Sequence, residues 1–164
     1  MTNLGLSTGY EAGVDVVTLA DDTIFVAAEV TVGPAVPPPG RNSQFTLVSF
    51  DPNDNQRRPQ LAIIPITTES DRPMQMLLQS DGKAVIVGRS GDLSSNADMA
   101  IVRFNAGALS TDASFGTNGA LTVDFFGGRD SAESVVQQPD GKLVVGGFAR
   151  VGSGIVFALV RIMP

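Results

Sequence analysis

A hairpin written three times constrains this chain more than any other feature. Val135–Gly147 reads VVQQPDGKLVVGG, Met76–Gly88 reads MLLQSDGKAVIVG, and Val16–Ala28 reads VVTLADDTIFVAA. The aspartates of the three turns, Asp21, Asp81 and Asp140, stand 60 and 59 residues apart. Proline presets φ, aspartate tolerates the next position and glycine supplies a positive φ, so Pro139-Asp140-Gly141 forces its flanking apolar runs to pair antiparallel. Ser80-Asp81-Gly82 does the same. Asp21-Asp22 lacks the glycine, which predicts a looser or differently typed first turn. Self-similarity at this period is the mark of stacked structural repeats.

The register extends well beyond the turns. Upstream, Glu11, Asp71 and Asp130 share a column; downstream, FTLVSF (Phe45–Phe50), MAIVRF (Met99–Phe104) and FALVRI (Phe157–Ile162) share another. ALTVDFFGG (Ala120–Gly128) matches LAIIPITTE (Leu61–Glu69) and, more loosely, TNLGLSTGY at the start of the chain. Each unit therefore supplies four short segments of strand character bounded by Gly, Pro, Asn, Asp or Ser. The expectation is a single all-β domain over 1–164, with units at about 11–70, 71–129 and 130–164. The last unit stops after its third strand and is completed by an N-terminal strand at 2–9, giving twelve strands. Gly107–Gly119 has room for one helical turn. Pro37-Pro38-Pro39 lies in the longest inter-strand link and is expected to extend from the fold.

Composition narrows the chemistry. Histidine and cysteine are absent, which removes Ser-His-Asp triads, imidazole ligands, thiolate metal sites and disulfides. The net charge of −6 disfavours a phosphate backbone, and Arg57-Arg58 is the densest positive spot, so no nucleic-acid partner is expected. No apolar run is long enough to span a bilayer. The first twenty residues carry no Lys or Arg and no continuous apolar stretch, so no signal peptide is expected. That leaves a cytoplasmic protein or a mature secreted form.

Several constellations remain. Glu11, Asp71 and Asp130 each precede the strand entering a hairpin, so they should lie at one end of the assembly. There they either ring a channel mouth able to hold calcium or cap their own loops by accepting backbone N–H bonds. Asp51-Pro52-Asn53-Asp54-Asn55 alternates oxygens like a calcium loop. Gln56 stands where glycine is needed and Ala62 where the last carboxylate is needed, so it reads as a polar hairpin loop. Arg103 and Arg161 share a strand position, suited to a carboxylate ligand or to bridging blades. Gly127-Gly128 and Gly146-Gly147 have no helix behind them to make a phosphate loop. Ser134 aligns with Asp15 and Gln75, a polar column that either lines a channel or supplies a serine nucleophile. Lys83 and Lys142 belong to the turns at the far end of those strands.

Taken together, DSAESVVQQPDGKLVVGGF, FALVRI and MAIVRFNAGALSTDASFGTNGALTVDFFGG resemble the delta-60 repeat family of bacterial proteins. The resemblance is close over 71–164 and weaker over 11–70, where the turn glycine, the third-strand arginine (Ser49 stands there) and the D-x-SFG motif are missing. It implies a β-propeller whose repeats each give one four-stranded blade, and it implies no particular chemistry. Propellers usually have four to eight blades. Three repeats therefore suggest half of a six-bladed ring closed by a homodimer, with a threefold β-prism or trefoil-like monomer, or a piece of a longer propeller, as alternatives. The functional expectation is a binding module for a small molecule or peptide. The alternative is a histidine-independent, esterase-like hydrolase using Ser134 with a lysine or carboxylate such as Asp15.

Overall fold

The computed structural model describes residues 10–31, 43–51, 53, 59–67, 69–92 and 96–163. The expected N-terminal strand at 2–9, Pro37-Pro38-Pro39 and most of the Asp51–Asn55 loop lie outside the described residues.

The strands form three antiparallel sheets in chain order. The first holds β1 (Glu11–Thr18), β2 (Ile24–Thr31), β3 (Ser43–Phe50) and β4 (Gln60–Ile64). The second holds β5 (Asp71–Leu78), β6 (Lys83–Asp92) and β7 (Asn96–Asn105), with β8 (Ser110–Thr111) and β9 (Ala120–Val123) both pairing with β7. The third holds β10 (Asp130–Gln137), β11 (Leu143–Val151) and β12 (Gly154–Ile162). Each sheet is a meander, as a propeller blade is. A 3-10 turn at Ala106–Ala108 and the two-residue β8 occupy the segment expected to hold one helical turn. Among the described residues no helix is long and apolar enough to cross a membrane.

The three hairpin turns are copies in detail. In each, the residue before the turn both donates and accepts: Leu19, Gln79 and Gln138 donate to the carbonyls of Thr23, Lys83 and Lys142, all at 2.8 Å. Their own carbonyls accept from Asp22, Gly82 and Gly141 at 3.1, 3.1 and 2.9 Å. Asp21, Asp81 and Asp140 each close an Asx turn onto the N–H two residues later. The first turn, expected to differ, does not: Asp22 sits at φ 66° where Gly82 has 80° and Gly141 has 84°. Aspartate tolerates the left-handed region, and the identical hydrogen bonds hold it there.

A second feature repeats in the strand that opens each sheet. The β1–β2, β5–β6 and β10–β11 registers slip between Gly13 and Asp15, Pro73 and Gln75, and Ala132 and Ser134. A bulge re-aims the side chain that follows it. The strands come so close there that a Cβ on Gly88 or Gly147 would overlap the carbonyl oxygen of Arg72 or Ser131. This close approach accounts for the second glycine of Gly146-Gly147.

The sheets stack face to face. Phe25, Ala27, Phe45 and Leu47 of the first pack on Met76, Ala84, Ile86 and Val102 of the second. The opposite face of the second, Val85, Val87, Met99 and Ile101, packs on Ala132, Val135, Leu143 and Val145 of the third. The middle sheet thus buries both faces, and each fully buried aliphatic or aromatic side chain contributes about 1.5–3 kcal/mol. The opening strands β1, β5 and β10 run beside one another.

Relieving the left-handed aspartate tests the turn. Asp22→Gly should raise stability by up to about 1 kcal/mol, the lost Cβ strain exceeding the added chain entropy. Thermal unfolding would show a higher midpoint; a lower one would mean that Asp22 makes the turn in some other way.

Candidate functional site

The bulges turn Asp15 and Gln75, two members of the polar column, toward the neighbouring sheet. Asp15 Oδ2 accepts the backbone N–H of Met76 at 2.9 Å, and Gln75 Oε1 accepts that of Val135 at 2.6 Å. Met76 and Val135 occupy the same repeat position, so one latch is used at both seams. Asp15 also accepts from the N–H of Val16 through Oδ1 at 2.8 Å. Ser134, the third member, is exposed. Among the described residues no hydrogen bond joins its hydroxyl to a lysine or carboxylate. Lys83 and Lys142 pair instead with the aspartates of their own turns, Asp81 and Asp140.

Two members of the acidic column are fully buried. Asp71 accepts from the N–H of Ile66 at 3.0 Å and from the hydroxyls of Thr67 and Ser90. Burial lifts its pKa above the usual carboxylate value, and these bonds oppose the lift without cancelling it. Asp130 accepts from the N–H of Phe125 at 2.7 Å and of Arg150 at 3.3 Å. Both carboxylates are thus engaged by the loop preceding their strand. Glu11 lines a groove on the outer face of the first sheet with Ala12, Gly13, Val26, Ala28, Val48 and Phe50. The column is therefore not brought together at one point. Among the described residues no group of three or more acidic side chains is arranged to hold a metal ion.

Arg103 is buried and tied within its own sheet rather than to a neighbour. Its Nε donates to Asp112 Oδ2 at 2.8 Å, and its guanidinium lies 4.5 Å from the centroid of the Phe115 ring. Asp112 also accepts from the hydroxyl of Ser114 at 2.6 Å and pairs with Lys83 at 3.3 Å. The D-x-S-F stretch and the third-strand arginine are thus one cluster, closing the outer loop onto β7. Arg161, at the matching position of β12, is exposed.

Among the described residues the outer face of the third sheet is exposed along β12, whereas on the outer face of the first sheet β1 is exposed but Ala28, Val30 and Val48 are buried. Phe157 and Leu159 of β12 are 77% and 54% exposed, whereas their repeat counterparts Phe45, Leu47, Met99 and Ile101 are all at 0%. At the other end Val16 is 58% exposed, against 4% and 2% for its counterparts Met76 and Val135. On the β12 face, Arg129, Phe148, Arg150 and Ile155 line a hollow. Sequence reasoning passed over Phe157 and Leu159 as ordinary strand residues. Only comparison with their buried counterparts shows that their exposure departs from the repeat.

The Ser114 hydroxyl and N–H, with Lys83 and Arg103, hold the Asp112 carboxyl well below its usual pKa against the effect of burial. A depressed folded-state pKa gives stability that is present above the unfolded value of about 3.9 and is lost as pH falls through the folded one. Asp112→Asn should cost about 3 kcal/mol at neutral pH by leaving Arg103 unpaired. The penalty should shrink below about pH 4, where the unfolded wild-type chain takes up the proton that the folded carboxylate still refuses. Thermal melts of both proteins across pH 2–7 would show converging midpoints; a constant gap would contradict the assignment.

Two stretches, residues 79–115 and 138–164, match a family model described as a domain of unknown function (DUF5122) beta-propeller. Both begin at the residue before a hairpin turn, Gln79 and Gln138, and run through the third strand of their sheet. The match supports a β-propeller-type repeat over those segments. Searches of curated proteins and of solved structures returned no match.

Proposed function

We propose that this protein is a non-catalytic binding module, a β-propeller of delta-60-like repeats in which three blades from each of two copies close a six-bladed ring. The observation carrying this reading is the exposure of Phe157 and Leu159 at positions that are fully buried in the other two blades. Stacking the β12 face of one copy on the exposed β1 side of the first sheet of the next would cover both and continue the seams already present. The residues first considered for chemistry have structural partners: Asp15 and Gln75 latch blades, and Arg103 closes a loop.

The ligand surface in this reading is the end opposite the hairpin turns. The turns are near-identical, whereas the sequences joining the second and third strands differ between units: TVGPAVPPPGRNSQ, RSGDLSSNAD and ARVGSGIV. Variable loops on a rigid scaffold are where propellers vary their partners, here a small molecule or a peptide.

Light scattering should give twice the 17.1 kDa chain mass for the wild type. Leu159→Asp, which places a charge in the proposed seam, should give the single-chain mass with unchanged far-ultraviolet circular dichroism. A variant that keeps the doubled mass would count against this face. The wild type and Ser134→Ala are both expected to be inert toward chromogenic esters. Wild-type turnover abolished by Ser134→Ala would replace this reading with the hydrolase.

A further inference from the structure

The internal seams specify which residues should meet at the closing one, and this inference rests on the reading that a second copy closes the ring. At the first seam, Ser43 Oγ donates to the backbone carbonyl of Asp71 at 3.1 Å. By the alignment of FTLVSF with FALVRI, Ser43 corresponds to Ile155, and Asp71 corresponds to Glu11. Ile155 should therefore abut the start of β1 in the partner subunit.

Both sides of that contact depart from the repeat in a complementary way. Ile155 shares its hollow with Arg129 and Arg150, whose counterparts in the second unit are the uncharged Ser70 and Gly91. Arg129 Nε is buried without a hydrogen-bond partner, and its guanidinium lies 5.8 Å from the centroid of the Phe148 ring. On the facing side, the column that holds aspartate in the other units holds the longer Glu11, which lines the groove to be covered. The first internal seam already carries a cross-blade ion pair near this end, Arg72 Nε to Glu29 at 3.7 Å. The latch extends in the same way: Ser134 occupies the position of Asp15 and Gln75, and Val16 that of Met76 and Val135.

We propose that the ring closes head to tail through a charge clamp, the partner's Glu11 seated in the hollow formed by Arg129, Phe148, Arg150 and Ile155. Beside it, the Ser134 hydroxyl occupies the latch position, where the backbone N–H of the partner's Val16 exchanges its bond to its own Asp15 Oδ1 for one to Ser134. Carboxylate against guanidinium fixes which faces meet, and the apolar contact of Phe157 and Leu159 supplies the burial. Two clamps form per dimer, because each copy offers both halves.

Reciprocal charge reversal tests the clamp, with sedimentation equilibrium as the readout. Glu11→Arg alone and Arg150→Glu alone should each weaken wild-type dimerisation by about tenfold or more, since each breaks both clamps. Mixing equal amounts of the two variants should restore a dimer, because one seam is then native and the other has its charges exchanged. The double variant in one chain should also restore it, which excludes misfolding as the cause of the single-variant losses. A wild-type dimer that neither single reversal weakens, or single-variant losses that neither mixing nor the double variant repairs, would overturn the clamp while leaving ring closure standing. A monomeric wild type would overturn both.

Discussion

The fold depends on sheets that are apolar on both faces. Along β6, Ala84, Val85, Ile86 and Val87 are all at 0% exposure, with alternate residues packed on the preceding and following sheets. A two-faced sheet cannot be satisfied by one neighbour, so each blade requires another on either side. Among the described residues the middle blade has both neighbours and the outer blades have one each. The backbone latches from Asp15 and Gln75 fix the sideways placement of that stack, because each bonds a single N–H in the next opening strand. Burial makes the blades associate and the latch sets their register.

Much of this architecture was legible in the sequence because the repeat is local. The turn chemistry of Pro139-Asp140-Gly141, the strand alternation and the 60-residue spacing each bear on neighbouring residues, and together they gave three antiparallel units. What escaped prediction involves geometry between distant residues. Nothing in GVD, PMQ or AES announces a bulge, yet the bulge aims Asp15 and Gln75 at another blade. Asp22 was expected to alter its turn; its side chain tolerates the left-handed conformation, and the surrounding bonds enforce it. D-x-S-F and the third-strand arginine were each visible, but their union at Asp112 and Arg103 appears only when β7 folds against the loop.

The site residues show a related limit of column reasoning. Glu11, Asp71 and Asp130 share a repeat position without sharing a role. Asp71 and Asp130 face inward to their own loops, where backbone N–H groups and hydroxyls replace water around the carboxylate. Glu11 lies on an outer face with no preceding blade among the described residues. An equivalent position supports an equivalent role only where its neighbours are also equivalent.

The central claim is that the exposed face of β12 covers the exposed β1 side of the first sheet of a second copy, in a ring of two chains. Small-angle X-ray scattering on the purified protein tests it most directly. The account predicts a radius of gyration of about 20 Å, as for a compact particle of two chains, with forward scattering equivalent to twice 17.1 kDa. A radius of about 15 Å with single-chain forward scattering would contradict it.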